Sequence, residues 1–123
     1  MVKRNNKKYI YKAIVDRVVD GDTFDCIVDL GFNIIAKMRF RLRNINTPEI
    51  RGKEREEGLI VKEYVKGLIE NKEVLIETFK LGKYGRYIVE IYLDNNEELS
   101  THLLDRGMGK PFMTIEGFDI FHL

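Results

Sequence analysis

The chain has 123 residues, of which 44% are hydrophobic and 33% are charged, and its formal net charge is +1. This length and composition are typical of one globular domain, and no stretch approaches the roughly 18 apolar residues that a membrane-spanning helix requires. The single cysteine, Cys26, excludes an internal disulfide and a cysteine-based metal cluster. The basic start of the chain is not followed by the apolar segment of a signal peptide, which predicts a cytoplasmic protein.

The first half of the chain predicts three strands and a helix. Tyr9–Val19 and Thr23–Leu30 are rich in the β-branched and aromatic residues that favour strands. Gly21 lies in the predicted turn between them, as a glycine that is free to take a positive φ. Ile34–Ile45 alternates between apolar and basic residues, which predicts a half-buried third strand. Apolar pairs that recur every four residues then predict a helix over Glu54–Glu70.

The third strand and the loop that follows it are strongly basic, although the whole chain is nearly neutral. Lysines and arginines outnumber acids from Ala36 to Arg55, where the only acids are Glu49 and Glu54. The outward-facing row of the strand consists of Lys37, Arg39, Arg41 and Arg43. This row favours a phosphate-rich partner, and a solvated charged surface is the alternative that charge alone leaves open.

The second half of the chain predicts two strands, Glu73–Lys80 and Tyr87–Leu93, and a short helix. Ser100 is expected to cap the start of this helix and Gly107 to follow its end, and His102 is expected to be a surface or rim residue. The order of elements predicts an α+β fold that is mainly β, a five-stranded OB-type Greek-key barrel. One helix lies between strands 3 and 4, and a short helix follows strand 5. We expect a single domain over residues 1–123, with a core from about 9 to 112.

Three loop segments contain most of the polar residues that suggest chemistry. They are Asp20-Gly21-Asp22-Thr23, Arg41 with Asn46-Thr47-Pro48-Glu49, and Lys83-Tyr84-Gly85-Arg86. In this order and spacing they resemble the staphylococcal nuclease family, also called thermonuclease, and the resemblance extends from about Tyr9 to Phe112. It implies an OB-fold nuclease that hydrolyses single-stranded DNA and RNA with Ca²⁺, shows little sequence preference and leaves 3′-phosphate ends. We expect it to act as a monomer.

The resemblance also implies a metal site. Asp22 matches an acidic Ca²⁺ ligand of the family, and Thr47 matches a residue that gives its backbone carbonyl to the ion. Asn46 stands where the family usually has a second acidic ligand. Its amide oxygen suits Ca²⁺, which prefers oxygen ligands, but one negative charge is missing. We therefore predict weaker metal binding than is usual in the family.

The remaining matches imply roles in catalysis and substrate binding. Glu49 matches the carboxylate that positions or deprotonates the attacking water, which is a suitable role for a carboxylate. Arg41 and Arg86 match two arginines that hold the scissile phosphate, to which planar guanidinium groups bind bidentately. Lys83 and Tyr84 match residues that contact a neighbouring phosphate of the substrate.

Two other functions remain open on the sequence alone. The first is a non-catalytic OB module of the same family that binds nucleic acid or protein, for which Asn46 is the main support. The second is a barrel that only scaffolds other proteins, which would leave the basic third strand unexplained. Cleavage that requires a divalent cation distinguishes the enzyme from both.

Overall fold

Strands dominate the computed structural model, which describes residues 9–81 and 86–112, without the side chains of residues 80 and 81. The strands are β1 (Ile10–Asp20), β2 (Thr23–Asp29), β3 (Ile35–Leu42), β4 (Ile45–Asn46), β5 (Glu73–Leu81), β6 (Tyr87–Tyr92) and β7 (Lys110–Pro111). The helices are α1 (Arg55–Ile69), α2 (Leu99–Asp105) and a 3₁₀ turn at Gly52–Glu54. In the described ranges, no helix is long and apolar enough to cross a membrane.

Five of these strands close into a barrel in the order β1-β2-β3-β6-β5. Its pairs are antiparallel except for β3 with β6, which run parallel, and β1 also pairs with β5 to complete the closure. The helix α1 lies between the third and fourth barrel strands of the sequence, and α2 follows the fifth. The predicted five-stranded OB-type barrel with these two helices is confirmed.

The barrel core is formed by alternate residues of the strands and by one face of α1. Phe40 and Leu42 of β3 are buried, whereas Arg39 next to Phe40 is exposed, as the predicted alternation requires. The buried residues of α1, which include Val61, Val65 and Ile69, join the same core cluster. This helix packs mainly against β1, and its residue Val61 adjoins Gly21 in the turn that connects β1 to β2.

The third strand is shorter than predicted. β3 ends at Leu42, and Asn44 takes a positive φ of 65°, which turns the chain before the two-residue strand β4. Asparagine tolerates this left-handed conformation better than most residues, so the interruption has a local cause. β4 leaves the barrel and pairs with β7, which brings the end of the described chain next to β3.

The outward row of β3 is less basic than the sequence indicated. Arg39 lies directly opposite Asp25 of β2, and its guanidinium donates two hydrogen bonds to that carboxylate, at 2.6 and 3.0 Å. The hydrogen bonds from Arg39 lower the pKa of Asp25 below its usual value, so Asp25 is charged at neutral pH. One positive charge of the row is therefore neutralised within the sheet.

The prediction that Ser100 caps α2 is wrong. The residue before α2 is Glu98, and Ser100 is the second residue of the helix. Ser100 is buried, and both its hydroxyl and its N–H donate to the carboxylate of Glu90 on β6, at 2.6 and 3.1 Å. Burial raises the pKa of Glu90, and these hydrogen bonds partly offset that effect. Gly107 follows the end of the helix with a φ of 67°, as predicted.

The prediction that His102 is a surface or rim residue is also wrong. Its side chain is buried between the helices, where Nε2 lies 2.7 Å from the hydroxyl of Tyr64 in α1. The two rings are stacked with their centroids 5.9 Å apart, and Nδ1 lies 3.0 Å from a carboxylate oxygen of Glu97. His102 thus links α2 to α1, a contact between distant residues that helical periodicity alone does not predict.

The buried face of α1 should contribute much of the stability of the fold. Ile69 is fully buried, whereas Ile60 on the same helix is 65% exposed. We predict that Ile69→Ala lowers the free energy of unfolding by about 2–5 kcal/mol, because it leaves a cavity in the core. Ile60→Ala, the matched control, should change it by no more than about 0.5 kcal/mol. Urea unfolding of the two variants tests this, and equal losses would show that α1 does not pack on the barrel as described.

Candidate functional site

A buried carboxylate, Asp22, lies at the centre of the site. Asp22 occupies the turn between β1 and β2 and is only 7% exposed. Its Oδ2 accepts hydrogen bonds from the N–H and the hydroxyl of Thr47, at 3.0 and 3.1 Å, and its Oδ1 accepts one from the hydroxyl of Thr23, at 3.2 Å. A charged group that is removed from water needs such partners. The hydrogen bonds therefore tie the β1–β2 turn to the loop after β4.

Arg41 contacts the same carboxylate from the end of β3. Its Nη1 lies 3.6 Å from Oδ2 of Asp22 and donates to the carbonyls of Leu42 and Ile45, each at 2.7 Å. Its Nη2 makes a longer contact of 3.4 Å with the side-chain oxygen of Asn46. The guanidinium is therefore held in one orientation, with Nη1 engaged by the protein and Nη2 less tightly bound.

Phe112, which directly follows β7, covers one side of Arg41. The ring centroid lies 5.5 Å from the guanidinium carbon, within the range of a cation–π contact. The N–H of Phe112 donates to the carbonyl of Asn44, and the pairing of β4 with β7 holds the segment in place. The ring is about half exposed, so an aromatic surface adjoins the arginine.

The end of β4 and the loop that follows it contain three predicted site residues in different environments. Asn46 is exposed, Thr47 is buried against Asp22, and Glu49 is exposed. The N–H of Glu49 donates to a carboxylate oxygen of Glu54 at 3.0 Å, which fixes the backbone at this point. The loop thus presents a solvent-accessible carboxylate two residues from the contact between Thr47 and Asp22.

Two glycines allow α1 to pack closely against both loops. A Cβ on Gly21 would lie 2.7 Å from a side-chain carbon of Val61 and 2.8 Å from the hydroxyl of Thr47. A Cβ on Gly58 would lie 2.1 Å from the carbonyl oxygen of Glu49. The φ of Gly21 is not positive, so the predicted reason for this glycine is wrong. The role of Gly21 is to permit close contact between the turn and α1. Gly58 has the same role between α1 and the loop after β4.

Asp20 belongs to the first of the three sequence segments, but the sequence assigned it no role. It is half-buried, and its Oδ1 accepts a hydrogen bond from the N–H of Asp22 at 3.0 Å. Burial, and then the neighbouring Asp22 carboxylate, raise the pKa of Asp20 to about 6. Two acids separated by one residue were a visible signal, but the sequence did not show that the turn would be partly buried.

The third predicted segment is described only at its last residue. Lys83 and Tyr84 lie outside the described residues. Arg86 is half-buried and directly precedes β6. The next residue, Tyr87, pairs with Phe40, the neighbour of Arg41. Arg86 therefore lies just before the strand that pairs in parallel with the strand of Arg41.

The oxygen atoms around Asp22 are chemically suited to Ca²⁺. The carboxylate of Asp22, the amide of Asn46 and the carbonyl of Thr47 are the hard oxygen donors that this ion takes, and the half-buried acid Asp20 adds negative charge nearby. Within residues 9–81 and 86–112, no group of three or more His, Cys, Asp or Glu side chains is arranged to hold a metal. The residues present therefore fit a divalent cation by the type of their oxygen donors.

Comparison with known proteins points to nucleases. A family model described as "Staphylococcal nuclease homologue" matches residues 39–117. Proteins from Escherichia coli and from E. coli O157:H7, each named "Uncharacterized endonuclease", are 29% identical over 93 residues, which cover 76% of this chain and 56% of theirs. A probable staphylococcal-like nuclease of Oryza sativa subsp. japonica is 34% identical over 100 residues, covering 72% of this chain and 25% of its own. The chain thus spans about half the length of the two E. coli relatives.

The contact between Gly58 and the loop predicts opposite effects for two glycines of α1. Gly58→Ala should lower the free energy of unfolding by about 1–3 kcal/mol, because the new methyl group overlaps the backbone at Glu49. A Cβ on Gly67 would extend into open space, so Gly67→Ala should raise the free energy by up to about 1 kcal/mol through helix propensity. Urea unfolding measures both. Stabilisation by both substitutions would show that α1 and the loop are not in close contact.

Proposed function

Because this chain belongs to the staphylococcal nuclease family, we propose that it is a nuclease that hydrolyses phosphodiester bonds of DNA and RNA with the help of Ca²⁺. The observation that carries the proposal is that Arg41 and Thr47 both contact the carboxylate of Asp22. The loop that contains Thr47 also presents the exposed Glu49. A carboxylate, an arginine and hard oxygen donors close together suit the cleavage of a phosphate ester. The proposed substrates are single strands, with little sequence preference and 3′-phosphate products.

Glu49 is proposed to hold and orient the attacking water. Its side chain is exposed, so a substrate and a water molecule can reach it, while its backbone is fixed by Glu54 and by contact with α1. A positioned carboxylate can accept the proton of the water as the new bond to phosphorus forms. For 3′-phosphate products, the water adds to phosphorus opposite the 5′ oxygen, and that oxygen leaves with the bonding electron pair and takes up a proton.

Arg41 and Arg86 are proposed to bind the scissile phosphate and to stabilise the negative charge that builds on its oxygens. Nη1 of Arg41 is fixed by two backbone carbonyls, so the guanidinium is oriented before the substrate arrives. Arg86 precedes β6, the strand that pairs with β3. Lys83 and Tyr84, which lie outside the described residues, are proposed to contact an adjacent phosphate.

Asp22, Asn46 and the carbonyl of Thr47 are proposed to hold Ca²⁺. When bound, the ion supplies a Lewis acid for a phosphoryl oxygen. The protein side of this site is organised in advance, because Thr47 donates two hydrogen bonds to Asp22 and Arg41 contacts both Asp22 and Asn46. These contacts also compete for the oxygen atoms that the ion needs, which supports weak binding.

A second candidate function is a non-catalytic module that binds nucleic acid or protein. Arg41 donates to three oxygen atoms of the protein itself, and in the described part of the chain the acids are too few around Asp22 to form a metal cluster. Both features would be acceptable in a domain that uses the barrel for binding alone. The presence of Asp22, Arg41 and Glu49 in one site favours the enzyme.

Cleavage of single-stranded DNA and of RNA tests the proposal directly. We expect cutting in millimolar Ca²⁺ that a chelator abolishes, and we expect Glu49→Gln to lower kcat by roughly 100-fold or more, because the amide cannot accept the proton of the water. Glu56→Gln, the same change at an exposed residue of α1, is the control and should retain full activity.

The outcomes of this experiment separate the two candidate functions. A folded wild-type protein that cuts in none of Ca²⁺, Mg²⁺ and Mn²⁺, but binds single strands in a salt-sensitive manner, would establish the binding module. Cutting that Glu49→Gln leaves intact would confirm a nuclease and remove Glu49 from the proposed mechanism.

The missing acid at position 46 should limit the affinity for Ca²⁺. We expect Asn46→Asp to tighten Ca²⁺ binding by about tenfold or more, because each added negative ligand raises affinity. Asn33→Asp, which adds the same charge at the exposed β2–β3 turn, is the control and should leave affinity unchanged. Calorimetric titration of the nucleotide-free proteins measures the three constants. Low-micromolar binding by the wild type, or equal affinities for the two variants, would contradict the prediction.

A further inference from the structure

The backbone of Glu49 is held from two sides by the start of α1. On one side, the N–H of Glu49 donates to the carboxylate of Glu54 at 3.0 Å. On the other side, the carbonyl of Glu49 lies so close to Gly58 that a Cβ on this glycine would overlap it. Glu49 therefore has a fixed main chain, although its side chain is exposed and it lies in a loop.

Glu54 makes this contact instead of capping its own helix. It is the residue immediately before α1, where a side chain commonly accepts hydrogen bonds from the first N–H groups of the helix. In this structure the side chain of Glu54 makes no such bond and reaches back to the loop. The start of a helix favours a negative charge, and a charged acceptor strengthens the hydrogen bond to an N–H group.

We propose that Glu54 is a positioning residue that orients Glu49 for the attack of water. This inference rests on the proposed function, in which Glu49 handles the water, and assigns to Glu54 a role that acts only through Glu49. The side chain of Glu49 can be placed accurately only if its main chain is fixed, and small displacements of a reacting group lower the rate steeply. Substrate binding, which depends on the arginines, should be nearly independent of Glu54.

Three variants test this role. Glu54→Ala removes the acceptor and should lower kcat roughly 10- to 100-fold, with KM within about twofold of the wild type. Glu54→Gln keeps an oxygen that can accept the same hydrogen bond and should restore kcat to within about threefold. Glu56→Ala removes an exposed carboxylate from the first turn of α1 and should have the activity of the wild type. Equal rates for Glu54→Ala and Glu56→Ala, or a Gln variant as slow as the Ala variant, would overturn the proposal.

A second measurement does not depend on activity. NMR measurement of exchange between water and the amide hydrogen of Glu49 should show protection in the wild type and in Glu54→Gln, and exchange about tenfold or more faster in Glu54→Ala. An active wild type whose Glu49 amide exchanges equally in all variants would overturn the role of Glu54 and leave the nuclease intact. An inactive wild type with a protected amide would overturn the proposed function while the contact itself remains.

Discussion

The close packing of α1 against two loops is the constraint on which the site depends. The helix can approach the β1–β2 turn because Gly21 has no side chain, and it can approach the loop after β4 because Gly58 has none. Between these contacts, Val61 belongs both to the barrel core and to the surroundings of Gly21. Since protein interiors are densely packed and transmit strain, a change in the position of α1 would displace both loops together.

The same helix also holds β1 just before the turn. The carboxylate of Glu70, which directly follows α1, accepts a hydrogen bond from the N–H of Val18 at 2.9 Å. The pairing of β1 with β2 is irregular between Val18 and Asp20, so the regular hydrogen-bond pattern of the two strands is interrupted in this part of β1. Glutamates at the two ends of α1 therefore secure the segments that carry Asp22 and Glu49, and the rigidity of a helix is transferred to two loops.

The sequence predicted the barrel well because its signals are local. Alternation in β3, the turn residues and the apolar stripe of α1 each determine one element, and their order determines the topology. The motif residues Asp22, Arg41 and Thr47 were identified by resemblance, and the structure brings them into contact. Several of the errors concern contacts between residues far apart in the chain, such as His102 with Tyr64. A glycine that permits close packing looks the same in a sequence as one that permits a turn.

Charge patterning was a poorer guide than motif spacing for a related reason. The sequence shows a row of basic residues on β3, but two of its members face acids on the neighbouring strand and turn, Arg39 with Asp25 and Arg41 with Asp22. The first pair is partly exposed to solvent, whereas the second is mostly buried and orients the guanidinium. Binding of phosphate should therefore depend less on the total charge of the strand than on the orientation of Arg41. That orientation is set by the carbonyls of Leu42 and Ile45, where the interrupted third strand turns away from the barrel.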